Sequence, residues 1–173
     1  MDTTISFSAP LLEAVLSGHK TVTRRRFAGT SELLEQPDSY RFCGLDATGA
    51  HFEEIATGRR LPVQAYPFGG VGEEPVRVAE APDLRLLVVA IRVERVRSIT
   101  ADGARAEGIR LLNPEAGSAA GAARWGGVEP DPAGGFRWYD EPVTAFAHLL
   151  TSFYPLAWKH NAWMWVIEFR KLD

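Results

Sequence analysis

The chain has 173 residues, of which 46% are hydrophobic and 24% charged, with a net charge of −3, enough for one domain with a real core. A mildly acidic body excludes a surface that coats nucleic acid as a whole and leaves at most a local basic patch. One cysteine, Cys43, excludes an internal disulfide and points to a reducing compartment.

No apolar run approaches the ~18 residues that span a membrane. The first residues lack the basic-then-apolar order of a signal peptide. The expectation is a soluble, cytoplasmic protein with no membrane contact. Cys43 reads as a small core residue rather than a nucleophile, since no histidine stands near it. The histidines at 19, 51, 148 and 160 lack the paired spacing of zinc ligands, so no metal site is expected.

In chain order, Thr4 to Phe7 alternate as a short strand. Ser8 or Ala9 then caps a helix with Pro10 in its first turn, where a missing N–H costs nothing. Leu11, Leu12, Val15 and Leu16 recur at helical spacing, and Gly18 suits a left-handed stop. The next residues, Lys20-Thr21-Val22-Thr23-Arg24-Arg25-Arg26, concentrate four cations where a helix C-terminus favours positive charge. Such a cluster suits an electron-rich or phosphate-bearing ligand, and equally a solvated basic turn.

Tyr40–Leu45 and His51–Ile55 read as a hairpin across Asp46-Ala47-Thr48-Gly49. Tyr66 to Gly72 is glycine-rich, but no Gly-Lys-Ser/Thr follows, which favours a tight turn over a phosphate cradle. Leu84 to Ile99 is the strongest strand signal. Thr100 is a good N-cap for a helix over Ala101–Glu107 stopped by Gly108. Residues 113–135, rich in Gly, Pro and Ala, read as a long flexible loop. Asp140 caps a helix whose Ala145, Phe146, Leu149, Leu150 and Phe153 form one apolar face. A final strand carries Trp163, Trp165, Ile167 and Phe169 on one side. The sum is a single α+β domain.

Two groups of residues could do chemistry. A threonine hydroxyl becomes a nucleophile only when a base takes its proton. Lys20 could be that base for Thr23 if the neighbouring arginines lower its pKa. Glu107, at the end of its helix, suits a general acid or base. The bland alternative is a solvated lysine, a capping threonine and a surface glutamate. The second group is Trp158 and Asn161, which lie in the turn before the last strand and could stack on a base and read its edge. Asn161 equally suits a plain turn position.

Three segments in this order resemble the ASCH family of the PUA-like superfamily, especially the ASCH-like proteins of phages and prophages. They are Phe7 to Arg25, centred on Gly18-His19-Lys20-Thr21-Val22-Thr23-Arg24-Arg25; Ile99 to Ile109, with Ala104-Arg105-Ala106-Glu107-Gly108; and Trp158 to Phe169. Tyr66 to Glu80 is a weaker fourth. The resemblance implies a small β-barrel of about five or six strands flanked by short helices. Gly18 to Thr23 is similar to the Gly-x-Lys-Thr-x-Thr motif of bacterial amidohydrolases that cleave N4-acetylcytidine with a Lys, Thr and Glu triad. It implies catalytic roles for Lys20, Thr23 and Glu107. Substrate or RNA contacts would fall to Thr21, Arg24, Arg25, Arg26, Trp158 and Asn161. It implies no metal or organic cofactor, and a nucleoside or RNA as partner. The chain is longer than those amidohydrolases, and its 113–135 segment has no counterpart in them. An RNA- or modified-base-binding module without catalysis, and a metal-independent ribonuclease, are the alternatives.

Overall fold

The structure is a computed structural model and describes residues 3–112 and 123–173. In chain order the elements are β1 (Thr4–Ile5), α1 (Ala9–Leu16), β2 (Val22–Arg26), α2 (Glu32–Glu35), β3 (Tyr40–Asp46), β4 (Gly49–Glu54), β5 (Val76–Val78) and β6 (Ala81–Arg95). They continue with α3 (Ala101–Ala106), β7 (Arg110–Leu112), β8 (Arg124–Pro130), β9 (Phe136–Tyr139), α4 (Pro142–Phe153), α5 (Ala157–His160) and β10 (Trp163–Leu172). The α+β expectation holds.

The strands form three sheets: a five-stranded one in the order β1-β5-β6-β10-β2, the β3–β4 hairpin, and a β7-β8-β9 meander. The expected closed barrel is not formed, because the large sheet is open, with β1 and β2 at its edges. Closure would need backbone pairing between those edges. A side chain spans the gap instead: Arg25 Nη2 donates to the Ser6 carbonyl at 2.7 Å. Within the sheet β1 runs parallel to β5 and the other pairs are antiparallel.

The core is organised by β10. Met164, Trp165, Val166 and Ile167 are all buried, so both faces of this strand are covered, not one. Trp165 packs on Phe27 with ring centroids 4.7 Å apart, and Phe27 in turn meets Phe52 of the hairpin at 5.1 Å. Aromatic contacts of this kind add to the burial of large apolar area and seat the β3–β4 hairpin over the sheet. Cys43, on the outer side of β3, is exposed rather than a core residue.

The N-terminal expectations are met locally. Helix α1 starts after Ser8 with proline in its first turn, although the Ser8 hydroxyl makes no cap hydrogen bond, and Gly18 has φ +82°. Thr100 caps α3 by accepting from Gly103 N. Helix α4 begins one residue later than expected, with Glu141 as N-cap. Asp140 instead pairs with Arg124 at 3.2 Å. Phe153 is not on the buried face but half-exposed at its end.

The expected 113–135 loop is revised in part. Residues 113–122 lie outside the described residues, but Arg124–Pro130 is strand β8, paired on both sides. Gly126 explains the disguise. A Cβ there would sit 2.2 Å from the Arg137 carbonyl oxygen, so the close approach of β9 requires glycine in mid-strand. Among the described residues, no helix is long and apolar enough to cross a membrane.

Candidate active site

The chain enters the site through the turn after α1. Lys20 N donates to the Ala14 carbonyl at 3.0 Å, and Thr21 N to the Ala106 carbonyl at 2.9 Å. These bonds set Lys20 opposite Glu107 in an antiparallel bridge. Gly108, with φ +111°, lets α3 end in such close quarters. A Cβ on it would lie 3.2 Å from the Ala14 Cβ and 3.5 Å from the Lys20 Cβ. Two segments remote in sequence are thus joined by backbone before any side chain acts.

Lys20 is 2% exposed and its Nζ donates to three oxygens: the Val22 carbonyl at 2.7 Å, the Glu107 carbonyl at 3.0 Å and Glu107 Oε2 at 2.7 Å. All three ammonium protons are therefore used. The other carboxylate oxygen of Glu107 accepts from Arg24 Nη1 at 3.0 Å. Arg24 is itself 5% exposed, reaches Glu94 through Nη2 at 3.4 Å and lies over the Phe146 ring. Its Nε is the one buried side-chain polar atom without a partner among the described residues.

Burial lowers the Lys20 pKa below its ordinary 10.5. The ion pair with Glu107 opposes this, while the charges of Arg25 and Arg24 add to it. The direction follows from water loss: a buried ammonium exchanges a full hydration shell for three fixed oxygens. The expected contribution of the arginines is present, but it is smaller than that of desolvation.

Thr23 is buried on β2, and its Oγ1 accepts from Arg25 Nε at 3.2 Å. Arg25 is held between the Phe7 and Phe68 rings, 5.6 and 5.9 Å from their centroids. Lys20, Thr23, Arg24, Arg25 and Glu107 all line one cavity of about 260 Å³. The rest of its lining is largely apolar, from Phe7, Leu11, Phe146, Leu149, Leu150 and Phe153, with Ser6, Ser8 and Tyr154 adding polar groups.

Five of the nine expected site residues thus converge. Thr21 is exposed and serves through its backbone, its carbonyl accepting from Phe169 N at 2.9 Å. Arg26 is exposed at the end of β2, and neither lines the cavity. Trp158 is half-buried and borders a shallow groove on α4 with Val143, Ala147 and His148. Asn161 adopts φ 54°, takes the Arg97 N–H on its Oδ1 at 2.9 Å and accepts from Arg95 Nε through its carbonyl. It is a turn residue that ties α5 to the end of β6. Glu94 and the α4 wall were missed. No local signal marks Glu94, and the face of α4 reads from sequence as ordinary core. No family model, curated protein or solved structure matches this chain. Among the described residues no group of three His, Cys, Asp or Glu side chains is placed to hold a metal ion.

Proposed function

We propose that this cavity hydrolyses the exocyclic amide of an N-acylated pyrimidine nucleoside, of the N4-acetylcytidine type, in an ASCH-like protein with a PUA-like fold opened along one side. The convergence of Lys20, Thr23 and Glu107 on one buried cavity is the observation that carries the reading. Its size, about 260 Å³, lies just under the ~300 Å³ at which small-molecule pockets begin. That suits the reacting end of a small molecule and not a nucleic-acid strand. The reducing, cytoplasmic setting expected from a single cysteine suits the same substrate class.

In this mechanism Lys20 acts as the neutral amine, the form that its burial favours, with Glu107 Oε2 holding it at 2.7 Å. That amine turns from the Val22 carbonyl to the Thr23 hydroxyl in the same cavity and takes its proton. Thr23 Oγ1 attacks the acyl carbon, and Arg25 Nε–H stabilises the alkoxide and the oxyanion that follows it. Lys20 returns the proton to the leaving nitrogen, the C–N bond breaks, and the amine departs. Water, deprotonated by the same amine, then attacks the acyl-threonine ester; the C–O bond to Thr23 breaks and Lys20 returns the proton to Thr23 Oγ1. The sum is amide plus water giving carboxylic acid plus amine.

The test is chromatography of N4-acetylcytidine incubated with the purified protein and with Lys20→Ala and Glu107→Ala. Conversion to cytidine is expected, with a loss of roughly a thousandfold or more in each variant and unchanged circular dichroism. Retained turnover in either variant overturns the mechanism, and an inert wild-type protein overturns the substrate.

A further inference from the structure

The cavity has two chemically unlike sides. One carries Lys20, Thr23, Arg24, Arg25 and Glu107; the other is the face of α4 with Phe146, Leu149 and Leu150, and Ser6, Ser8 and Tyr154 are also in the lining. The two meet where the Arg24 guanidinium lies over the Phe146 ring, 5.7 Å from its centroid. A reacting carbonyl within reach of Thr23 therefore sits at the seam, with one half of the substrate directed along the apolar side.

We infer that this half is the acyl group, and that the preferred acyl group is larger than acetyl: a medium-length aliphatic or an aryl chain seated against α4. The inference rests on the amide-hydrolase reading above. A pyrimidine carries a carbonyl and a ring nitrogen on its edges, and a ribose carries hydroxyls. Against leucine and phenylalanine side chains each of those groups would lose water without replacement. An acyl chain has no such atoms beyond its carbonyl. Acetyl, with one methyl, would leave most of the apolar side facing water or void. Phe153, 48% exposed and part of the same lining, extends the apolar surface outward to meet a longer chain. The base and its sugar then point to the open mouth.

Measuring kcat/KM for N4-acetyl-, N4-butanoyl-, N4-hexanoyl- and N4-benzoylcytidine tests this. Each added methylene is expected to raise the value roughly fourfold, reaching on the order of a hundredfold by hexanoyl. A flat or falling series overturns the inference while leaving the hydrolase reading intact. Phe153→Ser, at an exposed position that the fold tolerates, is expected to reduce the ratio of hexanoyl to acetyl rates; an unchanged ratio overturns the placement along α4. If none of the four amides is cleaved, the hydrolase reading fails, and calorimetry with acetate, hexanoate and benzoate decides the inference separately. Affinity rising with the apolar body sustains it, and equal or absent binding overturns it.

Discussion

Lys20 donates to three oxygens and is nevertheless the residue that the proposed chemistry needs without its charge. Burial resolves the conflict by pulling its pKa down, with Arg25 and Arg24 acting in the same direction and Glu107 against it. The sign for activity follows. The neutral amine is the base, so kcat/KM rises with pH through the Lys20 titration, at a midpoint below 10.5. Removing the Arg25 charge removes one cause of the lowering. Arg25→Gln is thus expected to move the rising limb to higher pH, while Arg25→Lys, which keeps the charge, leaves it in place. A pH–rate profile of the three proteins checks this; a limb that stays fixed in Arg25→Gln would show that Lys20 is not the titrating base. That Lys20, Thr23 and Arg25 share one cavity was legible because they lie within one short motif. The position of Glu107 was legible only through the resemblance, since nothing in local spacing joins residues 20 and 107. The link from Arg24 to Glu94 was not legible at all, because it crosses from one strand to another two places along the sheet.

Elements with a strong local period could be read directly. The apolar spacing of α1, the Thr100 cap of α3 and the β3–β4 hairpin over Asp46–Gly49 all lie where sequence places them. The β8–β9 hairpin was hidden because Gly126, Gly127 and Pro130 are loop-like residues, and only the proximity of Arg137 explains the first of them. Asn161, read both as a binding residue and as a turn residue, holds a turn position in the fold. Its left-handed backbone and its acceptance of the Arg97 N–H give a definite expectation. Asn161→Ala should lower stability by about 1–2 kcal/mol, from the loss of asparagine's tolerance of the left-handed region and the loss of a turn hydrogen bond. Asn161→Gly should recover the backbone part. Urea denaturation measures both, and kcat/KM is expected to stay within about twofold of wild type. A large loss of activity at full stability would restore Asn161 to the site.

At the scale of the whole molecule, the net charge of −3 and the internal pairing of the site cations argue against a nucleic-acid surface. Arg24 is tied to Glu107 and Glu94, and Lys20 to Glu107, so two of the four cations of the cluster are not left to displace counterions from RNA. Fluorescence anisotropy with a labelled single-stranded RNA is expected to give a Kd weaker than about 100 µM at 0.15 M salt. Micromolar, steeply salt-dependent binding that falls in Arg26→Ala would favour the binding module instead. The open sheet was beyond sequence reading, since closure depends on whether β1 and β2 meet, and neither strand's residues encode the other. That edge position has a consequence in time. Strand β2, which bears Thr23, Arg24 and Arg25, has β10 as its neighbour in the sheet, although the two lie near opposite ends of the sequence. Contacts of such long range are entropically expensive to form early. While a ribosome is still making the chain, Thr23 has no platform to stand on until Trp163–Leu172 has emerged. The proposed activity is therefore expected during synthesis only after β10 has emerged.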